Sequence, residues 1–224
     1  MKNLFMTFGS LALVAAAVAC GDDDSSKPVI TNDSGVTDTG TNTDGGTSDT
    51  GTTTPTFTHA AFCLTNLAQG NPAGAHRFAV KATSGGTTAA PTMTFDLTPI
   101  KVKAAGQPDT LSTSNTVGSK ITLPNVAIGA DGSFQFKAPE GVTTAIPGEA
   151  NPLSGQNIVL KSLDLKGKVA AAPTFCGNFT AVGVEPGTIK DQPLSANCIF
   201  AKLNDGDTLP SFKKDEFDAC APAK

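Results

Sequence analysis

Glycine and proline punctuate the chain so densely after residue 56 that helix of ordinary length has few places to form. Between Phe57 and Lys224 there are 29 of them, and both weaken or end helices when internal. Among the longest stretches free of either are 57–69, 194–205 and 211–221. Period-two alternation recurs instead, which is the pattern of strands with one buried face. Phe78, Val80 and Ala82 alternate with Ala79 and Lys81, and Met93, Phe95 and Leu97 alternate with Thr94 and Asp96. After Pro99 the phase slips to Ile100 and Val102, which predicts a bend or bulge.

Ile121 to Ile128, the tetrapeptide Gly129-Ala130-Asp131-Gly132 and Ser133 to Lys137 spell a hairpin, since Asp-Gly supplies the positive φ that tight reversals need. Residues 157–169 predict one strand or two, with a phase change near Lys161 and Ser162. Residues 174–184 predict a strand that turns at Glu185-Pro186-Gly187 toward 188–203. Residues 194–205 fit a strand through Leu194, Ala196, Cys198 and Phe200, or a helix capped by Ser195. Eight to ten short strands at this spacing predict an all-β domain over 57–224, an antiparallel β-sandwich or alternatively a small β-barrel.

Residues 1–56 differ in kind. Met1 to Cys20 carries Lys2, an apolar run from Leu4 to about Val18 and small residues before Cys20, the pattern of a signal peptide. That run is shorter than the ~20 residues of a membrane span. Ala17-Val18-Ala19-Cys20 resembles the lipobox of bacterial lipoproteins. The resemblance implies removal of 1–19, acylation of Cys20 with chains such as palmitate, and membrane attachment through that residue. Gly21, where Asp would imply retention at the inner membrane, implies the outer membrane.

Residues 21–56 hold 11 Thr, 7 Asp, 6 Gly and 4 Ser, with three aliphatics and no aromatic. Such a composition predicts a disordered tether, because burial cannot offset ordering entropy. As a flexible coil it would span roughly 30–36 Å. The Asp and Asn of 38–46 lack the spacing and the Glu of a calcium loop, so a spacer is the reading.

Cys63, Cys176, Cys198 and Cys220 are an even set in an exported chain, which predicts two disulfides. Three pairings are possible. A regular hairpin reversing at 185–187 would face Cys176 with Cys198 and leave Cys63 to Cys220. No Cys-x-x-Cys occurs, so zinc or thiol redox chemistry has no foothold, and no metal or other cofactor is implied.

The whole chain carries a net charge of −4, but segment 21–56 alone, with seven Asp and one Lys, carries −6, and 57–224 has 14 Lys plus Arg against 13 Asp plus Glu. No basic footprint for nucleic acid exists. Trp and Tyr are absent, which weakens sugar and single-strand nucleic-acid recognition. His59 and His76 are the only imidazoles, lie 17 residues apart, and read as solvated polar residues. No Gly-x-Ser-x-Gly, Walker or dinucleotide motif is present. Asp205-Gly206-Asp207 reads as a turn. Three functions follow as expectations: a non-enzymatic lipoprotein presenting a β-rich domain to an unknown protein or envelope partner, a carrier of an apolar small ligand or lipid, and a hydrolase using His59 or His76.

Overall fold

The computed structural model describes residues 57–104, 107 and 109–221. The signal, Cys20, the tether and the calcium-loop question all lie outside the described residues. Nine strands form one antiparallel sheet: β1 (His59–Thr65), β2 (His76–Gly86), β3 (Pro91–Pro99), β4 (Ile121–Ala127), β5 (Ser133–Lys137), β6 (Thr143–Ile146), β7 (Ile158–Lys168), β8 (Thr174–Glu185) and β9 (Pro193–Lys202). Among the described residues one short α-helix, α1 (Lys214–Ala219), follows.

The order is β4-β3-β2-β1-β9-β8-β7-β5, with β6 on the same flank of β7 as β5. A bridge between Ile128 and Phe134 joins β4 to β5 and brings the two ends of the sheet together. The sheet is therefore a nearly closed barrel, the alternative of the two architectures the alternation predicts. The β4–β5 reversal follows the expected chemistry: Gly132 has φ 84°, Gly129 N–H donates to the Ser133 carbonyl at 2.8 Å, and Asp131 Oδ1 accepts from Ser133 N–H at 3.1 Å.

Two bulges keep the barrel's inner face apolar. In β7, Ile158, Leu160, Leu163 and Leu165 are all buried although the spacing jumps from two to three. Lys161 and Ser162 both point outward, with Ser162 at φ 56°, and the register to β8 shifts there. If the same residues ran through without a bulge, Leu163 and Leu165 would face solvent. β4 uses the same device between Leu123 and Val126: Asn125 takes φ 49° and donates its N–H to Thr94 Oγ1 at 3.2 Å.

The run His59-Ala60-Ala61-Phe62-Cys63-Leu64-Thr65 is almost wholly apolar because β1 is covered on both faces. Ala61 and Cys63 belong to the inner cluster; Ala60, Phe62 and Leu64 belong to an outer one. β9 divides likewise, with Cys198 and Phe200 inside and Ile199 and Ala201 outside. The outer cover is made by Ile100, the residues 109–111 and the stretch 203–220. These pair with each other through Leu111 N–H to the Asp207 carbonyl and Leu209 N–H to the Asp109 carbonyl. Leu111 and Phe217 are fully buried in this layer. The ambiguous segment 194–205 is thus strand to Lys202, while helix forms in the 211–221 stretch.

The disulfides are Cys63–Cys198 and Cys176–Cys220, which corrects the pairing suggested by a symmetric hairpin. The link between β8 and β9 runs through a 3-10 turn at Gly187–Ile189 before β9 begins at Pro193. The resulting register sets Cys176 opposite Ile199 and Gly177 opposite Cys198. One residue of offset puts the two cysteines on opposite faces of the sheet. Cys198 instead faces Cys63 directly across the β1–β9 ladder, with Cα atoms 4.1 Å apart. Cys176 points outward to Cys220 at the end of α1, and Asn178 Nδ2 holds the Cys220 carbonyl at 2.8 Å.

The two bridges span sequence separations of 135 and 44 residues. Chain entropy ascribes about 5 and about 4 kcal/mol to them respectively. Peptide mapping without reduction will recover 63–198 and 176–220 linked fragments. Replacing Cys63 and Cys198 by Ala will lower the thermal midpoint more than replacing Cys176 and Cys220, as followed by circular dichroism.

Candidate functional site in the barrel interior

The inward residues of β1, β2, β7 and β9 do not fill the space they enclose. A hollow of about 70 Å³ remains, walled by residues including Phe78, Leu160, Leu165, Leu194 and Phe200, with the Cys63–Cys198 disulfide in the wall. The surface it presents is entirely apolar. By comparison, an engineered cavity of ~150 Å³ stays dry and binds benzene. The hollow alone therefore suits the end of a chain or a small group, not a whole lipid.

A second space adjoins it. Among the described residues β4 has its ladder with β3 and β6 has its ladder with β7, and a cleft of about 630 Å³ lies between these two strands. The side chains of Ile121, Leu123, Thr144 and Leu163 are common to the walls of both spaces. Phe136, Pro139 and Pro147 extend the apolar surface outward, and Lys120 and Lys137 edge it.

Thr65 and His76 mark one pole of the hollow. Cys63 pairs with His76 across β1 and β2, so His76 shares the inward face of Phe78 and Val80, and Thr65 continues the inward face of Ala61 and Cys63. His76 is 3% exposed. Both its ring nitrogens and Thr65 Oγ1 are buried without a hydrogen-bond partner. Asn151, in the loop over that pole, lies close enough to favour the imidazolium slightly but outside hydrogen-bond geometry. Its amide instead bonds Ser154 Oγ at 2.9 Å and the Gln156 carbonyl at 2.8 Å. Each orphaned polar atom costs roughly 1–3 kcal/mol.

The histidines are not the solvated residues their sequence context suggests. The strand phase carried the missing signal, because His76 sits in step with Phe78 and Val80. His59 also faces inward, four residues before Cys63 on β1 and so roughly 13 Å from the His76 end. It is half-buried, meets the Phe175 ring edge-on with centroids 5.6 Å apart, and its Nδ1 lies 2.9 Å from Thr58 Oγ1. The structure does not bring the two imidazoles together. Glu216 Oε2 accepts from the Lys213 N–H at the start of α1 at 2.7 Å. Asp205 Oδ1 accepts from Phe57 N–H at 3.1 Å and Asp207 Oδ2 from Asn204 N–H at 2.7 Å, as turn residues do. Among the described residues no three His, Cys, Asp or Glu side chains gather as a metal site would require.

On the outer face a further cleft of about 420 Å³ lies over Phe62, Phe212 and Phe217, beside the Arg77–Asp109 ion pair. Phe212 packs edge-on against Phe62 with centroids 5.0 Å apart.

The chain matches no protein-family model, no curated protein and no solved structure.

Burial pushes the His76 imidazole down from 6.5 to about 4. The unfolded chain therefore binds this proton more readily than the folded one, and stability falls as pH drops from about 6.5 toward 4. The loss from His76 amounts to about 3 kcal/mol. Burial and then the Lys202 charge lower His59 in the same direction. His76→Leu will flatten the stability-versus-pH curve between 6.5 and 4 without abolishing its slope, and will raise the urea midpoint at pH 7.

Proposed function

We propose that this chain is a lipid-anchored protein of the cell envelope whose barrel is a non-catalytic binding module that takes an apolar small ligand, or the apolar end of a lipid, through the β4–β6 cleft into the hollow. The observation that carries the reading is a hollow of apolar surface sharing four wall residues with a mostly apolar cleft. A barrel interior that fails to fill itself is a common ligand site. The combined volume accommodates a short chain, with its end inside and the rest along the cleft.

Non-catalytic binding is favoured because the two imidazoles sit apart and the polar contact of His59 is a hydroxyl rather than a carboxylate. The Thr58 hydroxyl within reach of His59 is held by the backbone, accepting from Ala82 N–H at 2.9 Å and donating to the Val80 carbonyl at 3.4 Å, and so is not free to serve as a nucleophile. The envelope location rests on the lipobox-like Ala17-Val18-Ala19-Cys20, with membrane attachment through acylated Cys20, outer membrane following from Gly21. Two disulfides accord with an oxidising compartment.

Native mass spectrometry of the full chain extracted from its membrane will reveal an extractable apolar adduct. Leu163→Phe, which enlarges a wall residue common to both spaces, will remove the adduct while the protein remains folded, at a cost of about 1–3 kcal/mol. A wild-type protein free of any adduct, and unable to take up an added apolar probe such as hexane, overturns the reading. Cys20→Ser will move the protein from the membrane to the soluble fraction and remove the acyl mass from its N-terminus.

A further inference from the structure

His76 and Thr65 are diagonal neighbours on the inner face of β1 and β2, and both line the hollow. Three of their polar atoms lack partners beside a space whose exposed surface is apolar. Native interiors rarely leave such groups unsatisfied, and a ligand atom is one of the few ways to satisfy them. The hollow wall presents carbon, yet rotating an imidazole by 180° about Cβ–Cγ exchanges Nδ1 with Cδ2 and Nε2 with Cε1. In a ring whose nitrogens hold no hydrogen bond, this rotation breaks none and requires no new volume.

We propose that His76 and Thr65 form a head-group pole in the hollow, specific for an un-ionised hydroxyl carried on an aliphatic chain. The inference rests on the binding reading above and adds to it the chemistry of the ligand. A neutral imidazole has one donor and one acceptor, and a threonine hydroxyl can serve as either. A ligand hydroxyl, itself both donor and acceptor, complements the pair. A carboxylate does not, because no Lys or Arg lines the hollow and a desolvated charge there has no counter-ion. The chain of such an alcohol extends from this pole past Leu160 and Leu163 toward Ile121 and Thr144, where the wall is shared with the cleft.

The test uses the full chain carrying Cys20→Ser, titrated without detergent with 1-hexanol, hexane and hexanoate, and followed through the backbone amide shifts of Thr65, Leu160 and Leu163. Hexanol is expected to bind at least about tenfold more tightly than hexane and than hexanoate at pH 7, the factor that one satisfied buried group supplies. His76→Leu will bring the hexanol-to-hexane preference to about one. Thr65→Val, close to isosteric, will reduce the preference in the same direction and serves if His76→Leu does not fold. Long-range nitrogen–proton spectra of His76 will move on adding hexanol and not on adding hexane. Equal binding of hexanol and hexane, tighter binding of hexanoate, or a preference that survives both substitutions overturns the head-group pole and leaves the apolar hollow standing. Binding of neither hexanol nor hexane overturns both.

Discussion

The ladder between β1 and β9 is the seam on which the rest of the domain depends. It joins the first strand of the barrel to the last, from His59 opposite Lys202 to Thr65 opposite Ala196. Contacts so distant in sequence demand a large loss of chain entropy before they return any energy. Three features offset that loss together: apolar burial on both faces of both strands, the hydrogen-bonded register, and the Cys63–Cys198 bond at its centre. Once the seam is set, β2–β3–β4 extend one way and β8–β7–β5 the other until Ile128 meets Phe134.

Closure at that last bridge is incomplete, and this is where the barrel acquires its character. β5 and β6 share one flank of β7, and the chain between them departs from the sheet at Ala138 to Val142. β4 meets β5 at one level and leaves a cleft against β6 at another. The bulges at Pro124-Asn125 and Lys161-Ser162 flank this region and turn their neighbours' side chains back toward the interior. The wall is thus held apolar at the place where the sheet is least complete. The proposed binding function draws on that coincidence.

Much of the sheet was legible because its strands alternate cleanly. Phe78 to Ala82, Met93 to Leu97 and the Asp131-Gly132 reversal declare themselves through period and turn chemistry, and the slip at Lys161-Ser162 was visible as a broken phase. Helix α1 is six residues long and owes its place to Phe217 and the Cys176–Cys220 bond rather than to a repeating stripe. The disulfide pairing was not legible, since it turns on one residue of register set by the length of the link from Pro186 to Gln192. Nor was the interior pole: a histidine heading a strand beside an arginine looks solvated until the strand's inward parity and the loop above it are known. The hollow is a difference between enclosed volume and side-chain volume, which no local pattern encodes.

Phe57 enters the outer layer with its N–H on Asp205, immediately before β1. A pull transmitted along the preceding chain reaches the domain at this point and acts on the strand that holds the barrel together. Peeling from that end can release at most the residues up to Phe62 before it meets a covalent bond to β9. The fold is therefore arranged so that traction at its entry is arrested after one short segment and passed to two adjacent strands at once.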